Sequence, residues 1–340
     1  MKAFNSTPST RSDRPLQIAL FITSAAWFFA SQTLAGRAAM GLSMRFNLSD
    51  ERPLLAVAFL LFLLAIGFTF LQMIAHQSSS MREALGLPKR ATAGREWGIG
   101  AAIGWGLVVL AVLPMALGGT LHIILWTAPR AFWLVVLNLA MLAVSALVEE
   151  VAFRGYPFRR LIEIVGPTWA TILMSLLFGA LHAFNPDATL ISVLITMLAG
   201  VLLSIAWLRT HGLWLGWGLH LGWNASMGIL FGLPVSGIVD FSSVVQTRAV
   251  GRTWLTGGDY GPEGALFTLL VLVIGIIVVV YATRDYAWNY TRKPIVAAGY
   301  PTDVPPPEAH TAMEQAAKPA SLVQILPTTP QERSANDPPR

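Results

Sequence analysis

Long apolar runs separated by short polar segments dominate the first 282 positions of the chain. Eight of them reach the length of a bilayer crossing: 16–35, 53–75, 98–118, 131–152, 168–184, 188–208, 212–233 and 264–282. A span needs about 20 mainly apolar residues. Within lipid, a helix satisfies its own backbone hydrogen bonds segment by segment. The pattern therefore predicts an all-α fold, a polytopic membrane bundle of about eight transmembrane helices over 16–282. The first run, LQIALFITSAAWFFASQTLA, follows the short basic segment 1–15. It exceeds the ~7–15 apolar residues of a signal peptide, so it is read as a retained span after a cytoplasmic N-terminus. Segment 234–263, rich in glycine and carrying Asp240, Asp259 and Glu263, is predicted to be a long loop. Residues 283–340, with PTDVPPPEAH and a final NDPPR, bury too little apolar surface to offset chain entropy. They are read as a disordered, proline-rich cytoplasmic tail, whose proline run could engage an aromatic groove.

Composition sharpens this picture. The chain is 54% hydrophobic and 12% charged, whereas soluble domains carry about 25% charged residues. A soluble enzyme is excluded on that ground. The net charge of +5 reads as topology, because the basic residues sit between apolar runs; nucleic acid is not an expected partner. With the N-terminus inside, one face holds Lys2, Arg11, Arg14, Arg82, Lys89, Arg90, Arg95, Arg159, Arg160, Arg209, Arg284, Arg292 and Lys293. The other holds only Arg37, Arg45, Arg52, Arg130, Arg248 and Arg252. Positive charge stays in the cytoplasm, so both termini are expected there, in a bacterial inner or plasma membrane. The chain has no cysteine, which excludes disulfides, thiolate metal sites and a cysteine nucleophile.

Ionisable residues at membrane depth are costly and normally face a cavity or one another. The fourth run ends AVSALVEEVAFRGYPFRRL and carries Glu149, Glu150 and Arg154; the fifth ends in His182; the seventh carries His220 and Asn224. Glu150 with Arg154, and His220 with Asn224, are each four apart and share a helix face. Glu149 and Glu150 point about 100° apart, so the two carboxylates are expected to have different roles. If the polar stretch 154–163 prolongs the fourth helix, Gly166-Pro167 forms a hairpin tip. Glu150 and His182 then lie 16 residues on either side of Gly166, each about 24 Å above the tip. Turning the next hairpin at His211-Gly212 brings His220 and Asn224 to a similar level. All the groups can then meet, in the cytoplasmic half of the membrane, if the first hairpin protrudes into the cytoplasm.

Each residue also has a plainer reading. Glu150–Arg154 can be a structural ion pair, and His182, His220 or Asn224 can simply link helices. Arg209 and His211 read as topological, His122 as a loop residue without polar neighbours, and Trp207, Trp214 and Trp217 as interfacial or packing residues. Ser145 lies four residues before Glu149, but small polar residues commonly pack in membrane helices. Intramembrane Glu, His and Arg also mark proton pathways, so a proton-coupled small-molecule transporter or a non-catalytic membrane scaffold stands as the alternative function. Against transport, no pair of interrupted spans occurs in matching halves.

Glu149-Glu150-Val151-Ala152-Phe153-Arg154 fits E-E-x-x-x-R, Phe178 to His182 fits F-x-x-x-H, and His220 to Asn224 fits H-x-x-x-N. In this order, on three apolar helices, the motifs resemble the CPBP intramembrane protease family. That family includes type II CAAX prenyl endopeptidases and bacteriocin-processing or immunity proteins. The resemblance covers 149–224 and implies an endopeptidase with about eight membrane helices, a catalytic core near 131–233 and a cavity open toward the cytoplasm. It implies that Glu149 and His182 activate a water, that His220 and Asn224 stabilise the oxyanion, and that Glu150 and Arg154 support the site. Its substrates would be membrane-associated proteins or peptides, prenylated or not, met beside membrane lipid. A carboxylate and an imidazole can deprotonate a water as it attacks a carbonyl, and fixed donors can hold the resulting charge. No metal cofactor is favoured. The alternative is a divalent metal such as zinc on Glu149, His182 and His220, but the chain lacks the paired H-E-x-x-H of one helix.

Overall fold

The computed structural model describes residues 14–75, 80–239 and 241–285. Segment 1–13 and the proline-rich tail from 286 onward lie outside the described residues, so the expectations made for them are not addressed by it.

Each of the eight predicted runs coincides with a helix. In chain order they are α1 (Arg14–Phe46), α2 (Arg52–Ile74), the one-turn α3 (Met81–Ala84), α4 (Ala93–Leu117), α5 (Pro129–Arg154), α6 (Tyr156–His182), α7 (Leu190–Thr210) and α8 (Trp214–Ala225), followed by the one-turn α9 (Thr253–Thr256) and α10 (Leu266–Ala282). Five helical stretches are long and apolar enough to cross a membrane: α1, α2, α4, α7 and the 54-residue stretch Pro129–His182 that joins α5 and α6. The 17-residue α10 is apolar but shorter. Large apolar side chains such as Phe62, Phe70 and Ile277 point outward, which suits a surface wetted by lipid and not by water. The protein is an all-α polytopic bundle.

Three expectations are corrected. The first helix runs to Phe46, well past the predicted end at 35. The fourth helix does not continue through 154–163: it stops at Gly155 (φ −81°, ψ −126°), and Tyr156-Pro157 opens a new helix. A side chain at Gly155 would overlap the Val151 carbonyl, and Pro157 suits a first helical turn because it lacks an N–H to satisfy. The polar stretch also does not protrude as a whole, since every residue from Glu150 to Leu161 is buried. Tyr156 stacks on Phe68 of α2, Arg159 donates to the Ala84 carbonyl (2.8 Å), and Arg160 donates to Gln17 of α1 (2.9 Å) and pairs with Glu163 (3.2 Å). The tip itself is where expected. Gly166 adopts φ +82° ahead of Pro167 and turns the chain. Phe153 meets Phe178 edge-on at 5.0 Å, and these residues lie about equally far on either side of Gly166.

The predicted loop is also more ordered than its composition suggested. Residues 245–249 form strand β2, which pairs antiparallel with β1 (Leu121–Leu125) in a two-stranded sheet. His122 lies opposite Arg248, so it has a polar neighbour after all. Trp207, Trp214 and Trp217 are packing residues: Trp207 meets Phe158 at 5.2 Å, and the Trp214 and Trp217 indoles donate to the Pro88 and Ala143 carbonyls.

Two apolar clusters build the interior. One gathers side chains of α1, α2, the end of α5 and both halves of α6; the other gathers α4, the middle of α5, α7, α8 and α10. The second depends on glycine. Gly100 and Gly104 of α4 face Leu215 and Leu219 of α8, while Gly218 and Gly222 of α8 face Trp97 and Ala101 of α4. A methyl group at any of the four would overlap backbone of the opposite helix. Two small-x-x-x-small ridges therefore interlock, the arrangement that lets membrane helices approach to backbone contact.

Candidate active site

The site sits where the two clusters meet, and helix periodicity supplies it. On α5, Arg154 lies one turn after Glu150 and donates to its Oε1 at 3.1 Å, with both side chains fully buried. The second arm of the guanidinium donates to the Gly200 carbonyl of α7 (3.3 Å), and its carbon lies 4.4 Å from the centre of the Phe178 ring. Arg154 is thus held by a carboxylate, a carbonyl and an aromatic face. Such an arrangement offsets the desolvation of a buried cation, which distance to one anion alone would not do.

α8 brings His220 into the same network. Its Nδ1 lies 3.0 Å from Glu150 Oε1, and its Nε2 lies 3.7 Å from Glu149 Oε2. Because an ionised carboxylate only accepts, Nδ1 carries the hydrogen toward Glu150. Nε2 is then directed at Glu149. Gly216, one turn before His220, makes room for this: a Cβ there would lie 3.1 Å from Glu150 Oε2. The two adjacent carboxylates sit in different environments. Glu150 is buried and paired twice, while the Glu149 side chain is 30% exposed and its Oε2 is buried without a hydrogen-bond partner.

His182 ends α6. Its Nδ1 lies 2.8 Å from the Phe178 carbonyl one turn earlier. That oxygen only accepts, so Nδ1 is the protonated nitrogen and Nε2 is left for other partners. The Phe178 ring packs against both imidazoles, at 4.5 Å from His182 and 6.4 Å from His220. His182, His220 and Asn224 line one cavity between α6, α7, α8 and α10, together with Thr196, Ala199, Ser236 and Glu263. The six motif residues therefore lie in one region. Glu149 reaches it through His220 and not as part of the cavity wall.

The structure adds a group that the motifs omit. Glu263, in the turn Pro262–Gly264 before α10, accepts from the Trp223 indole (2.7 Å), the Ser236 hydroxyl (2.8 Å) and the Ser236 backbone N–H. Asn185, three residues after His182, donates to the Ser236 carbonyl (3.1 Å). One carboxylate thus ties the loop to α8 beside Asn224, and through Ser236 to the chain just beyond His182. The nearby Tyr260 hydroxyl has its pKa pushed up to about 12, by burial first and by the Glu263 charge second, so it stays protonated. The one sequence signal for this group was an acidic residue immediately before an apolar run. Glu263→Ala leaves these donors without their acceptor. It is expected to cost about 1–3 kcal/mol, the usual penalty for stranding a buried donor, read as a lower unfolding midpoint of the detergent-solubilised protein.

A zinc reading needs three protein ligands around one point. Among the described residues, no group of three or more His, Asp or Glu side chains is placed to hold a metal ion. As arranged, Glu149 and His220 make a pair, and His182 is not gathered with them into a ligand set, so the residues do not fit a preformed metal centre.

A membrane-embedded helical bundle with carboxylates, imidazoles and an amide gathered at one depth defines the class: an integral membrane protein with a buried polar site. Residues 129–226 match the family described as type II CAAX prenyl endopeptidase Rce1-like. Over these residues the chain is similar to the CPBP intramembrane proteases, a family of peptide hydrolases. The match contains α5 to α8 and all six motif residues. Comparison with curated proteins and with solved structures gave no match.

Proposed function

We infer that the chain is an intramembrane endopeptidase that hydrolyses a peptide bond of a membrane-associated protein or peptide with a water activated by its own side chains. The observation that carries this reading is the Glu149–His220–Glu150 arrangement: a half-exposed carboxylate with an unpartnered oxygen, 3.7 Å from an imidazole nitrogen whose other nitrogen is held by a buried carboxylate. Glu149 takes a proton from water as the oxygen attacks the peptide carbonyl, and His182 lines the adjoining cavity beside His220. Protonated His220 and the Asn224 amide then donate to the oxyanion. Collapse breaks the C–N bond, and Glu149 returns the proton to the departing amine. Glu150 fixes the His220 ring, and Arg154 balances Glu150. The Lys and Arg distribution supports an orientation with both termini in the cytoplasm.

The test is a comparison of peptide ends in membranes carrying wild-type or Glu149→Ala protein. A peptide end present with wild type and missing with the variant is expected; identical sets of ends would end the assignment. Once that substrate is in hand, the purified protein should keep its activity in a strong chelator. Loss on chelation with recovery on adding zinc would replace the metal-free mechanism by a metal-assisted one.

A further inference from the structure

Away from the site, the C-terminal ends of α7 and α10 border a cavity of about 390 Å³. Ligand pockets span about 300–1,000 Å³. One wall is apolar: Ile276, Ile277, Val280 and Tyr281 share a face of α10. Two arginines complete it, Arg209 at the end of α7 and Arg284 just beyond α10. Both lie on the side of the bundle richer in Lys and Arg.

Arg209 is fixed in place. Its Nε donates to the Thr283 hydroxyl (3.1 Å) and its Nη2 to the Val280 carbonyl (3.1 Å). Those bonds tie the guanidinium to the end of α10 and leave its other N–H groups free to donate. Arg284 is exposed. Among the described residues no acidic side chain lines the cavity, and neither arginine forms an ion pair, although Asp285 follows Arg284 directly. Tyr281 is 79% exposed at the same level, and its amphipathic ring suits the zone where hydrocarbon meets headgroups.

The chemistry of an occupant is set on both sides: hydrocarbon against the α10 face, an anion against two unneutralised guanidinium groups. We propose that this cavity binds an anionic phospholipid, with its phosphate on Arg209 and Arg284 and an acyl chain along Ile276, Ile277 and Val280. Basic pockets between membrane helices are a setting in which anionic headgroups are recognised. A free anion would gain nothing from the apolar wall, and a zwitterionic lipid would bring a cation beside the two arginines. α7 and α10 also wall the active-site cavity, through Thr196 and Ala199 on α7 and Leu272 on α10. A lipid bridging their ends steadies the folded bundle, and its binding needs no peptidase activity.

A ligand of the folded state raises the unfolding midpoint. The full chain, stripped of lipid in dodecylmaltoside, is titrated with dioleoylphosphatidylglycerol, with dioleoylphosphatidylcholine and with inorganic phosphate. Phosphatidylglycerol is expected to raise the midpoint at concentrations about tenfold below those phosphatidylcholine needs, and phosphate alone to leave it unchanged. A basic residue near a membrane surface adds roughly fivefold to attraction for anionic lipid. Arg209→Gln and Arg284→Gln should therefore each shift the phosphatidylglycerol curve about fivefold to higher concentration. Arg252→Gln, from the less basic side, should not shift it. Arg209→Gln also gives up its bonds to α10, which lowers the starting midpoint; Arg284→Gln has no such bonds to lose. Equal responses to the two lipids, an equal rise with phosphate alone, or the same shift in Arg252→Gln would overturn the proposal. p-Benzoylphenylalanine in place of Ile277 then identifies the occupant, on irradiation in vesicles of equal parts of the two lipids. Crosslinks mainly to phosphatidylglycerol are expected. Crosslinks to residues 286–340, or to a second copy of the chain, would give the cavity to a peptide instead.

Discussion

Glu149→Gln is expected to abolish cleavage while leaving the fold unchanged. The amide has the shape of the carboxylate but cannot take a proton from water. General bases contribute about 10²–10⁴-fold in rate, so the loss should be at least of that order. Stability should hardly change, because Glu149 is half-exposed and its buried oxygen has no hydrogen bond to lose. The neighbouring substitution separates the two roles. Glu150→Gln removes the counter-charge of Arg154 and leaves His220 only a neutral, weaker amide acceptor in place of the carboxylate. Breaking a buried ion pair from one side costs about 3–5 kcal/mol, so this variant should lose stability as well as turnover. The measurement is paired: product formation from the substrate identified in membranes, and the unfolding midpoint of each variant in detergent. Wild-type turnover by Glu149→Gln would remove Glu149 from the chemistry. A midpoint lowered as far as that of Glu150→Gln would mean that it supports the fold instead.

The different surroundings of Glu149 and Glu150 were legible before any coordinates, since adjacent positions on a helix point about 100° apart. So was the meeting of α5 and α6, because similar distances from Gly166 set similar heights, while α8 was placed by the separate turn at His211-Gly212. The sequence could not show the break at Gly155. One glycine inside an apolar and then amphipathic stretch is tolerated in a helix, and only the overlap with Val151 and the approach of Leu85 make it a corner. Strand β1 escaped because LHIIL is too short for a span, and its partner lies more than 100 residues away. Glu263 escaped for a related reason. Its role rests on Trp223 and Ser236, which periodicity cannot bring together, since the contact joins a helix to a loop. Local patterning thus carried the helices and the motif residues, while contacts between distant segments were hidden.

Gly218→Leu is expected to be among the most damaging substitutions outside the motif residues. Gly218 lies two residues before His220 and faces the Trp97 carbonyl of α4, where even a Cβ would overlap backbone. A flexible side chain could yield, but two main chains held in long helices cannot. The helices must therefore separate, and Gly100, Gly104 and Gly222 lose their contacts with them. Overpacking of this kind costs about 1–3 kcal/mol and sometimes more. The lost ridge contacts add to it, because lipid supplies no hydrophobic drive to reclose the gap. The chemistry suffers separately. α8 carries both His220 and Asn224, and shifting it lengthens the 3.0 Å contact between His220 and Glu150. A misplacement of about 1 Å can cost about 10²-fold in rate. Gly218→Ala should show a smaller effect of the same kind, and Gly106→Leu, at a position with nothing within 4 Å, should show almost none. Equal unfolding midpoints and equal turnover for Gly218→Leu and Gly106→Leu would mean that close contact between α4 and α8 does not hold the site together.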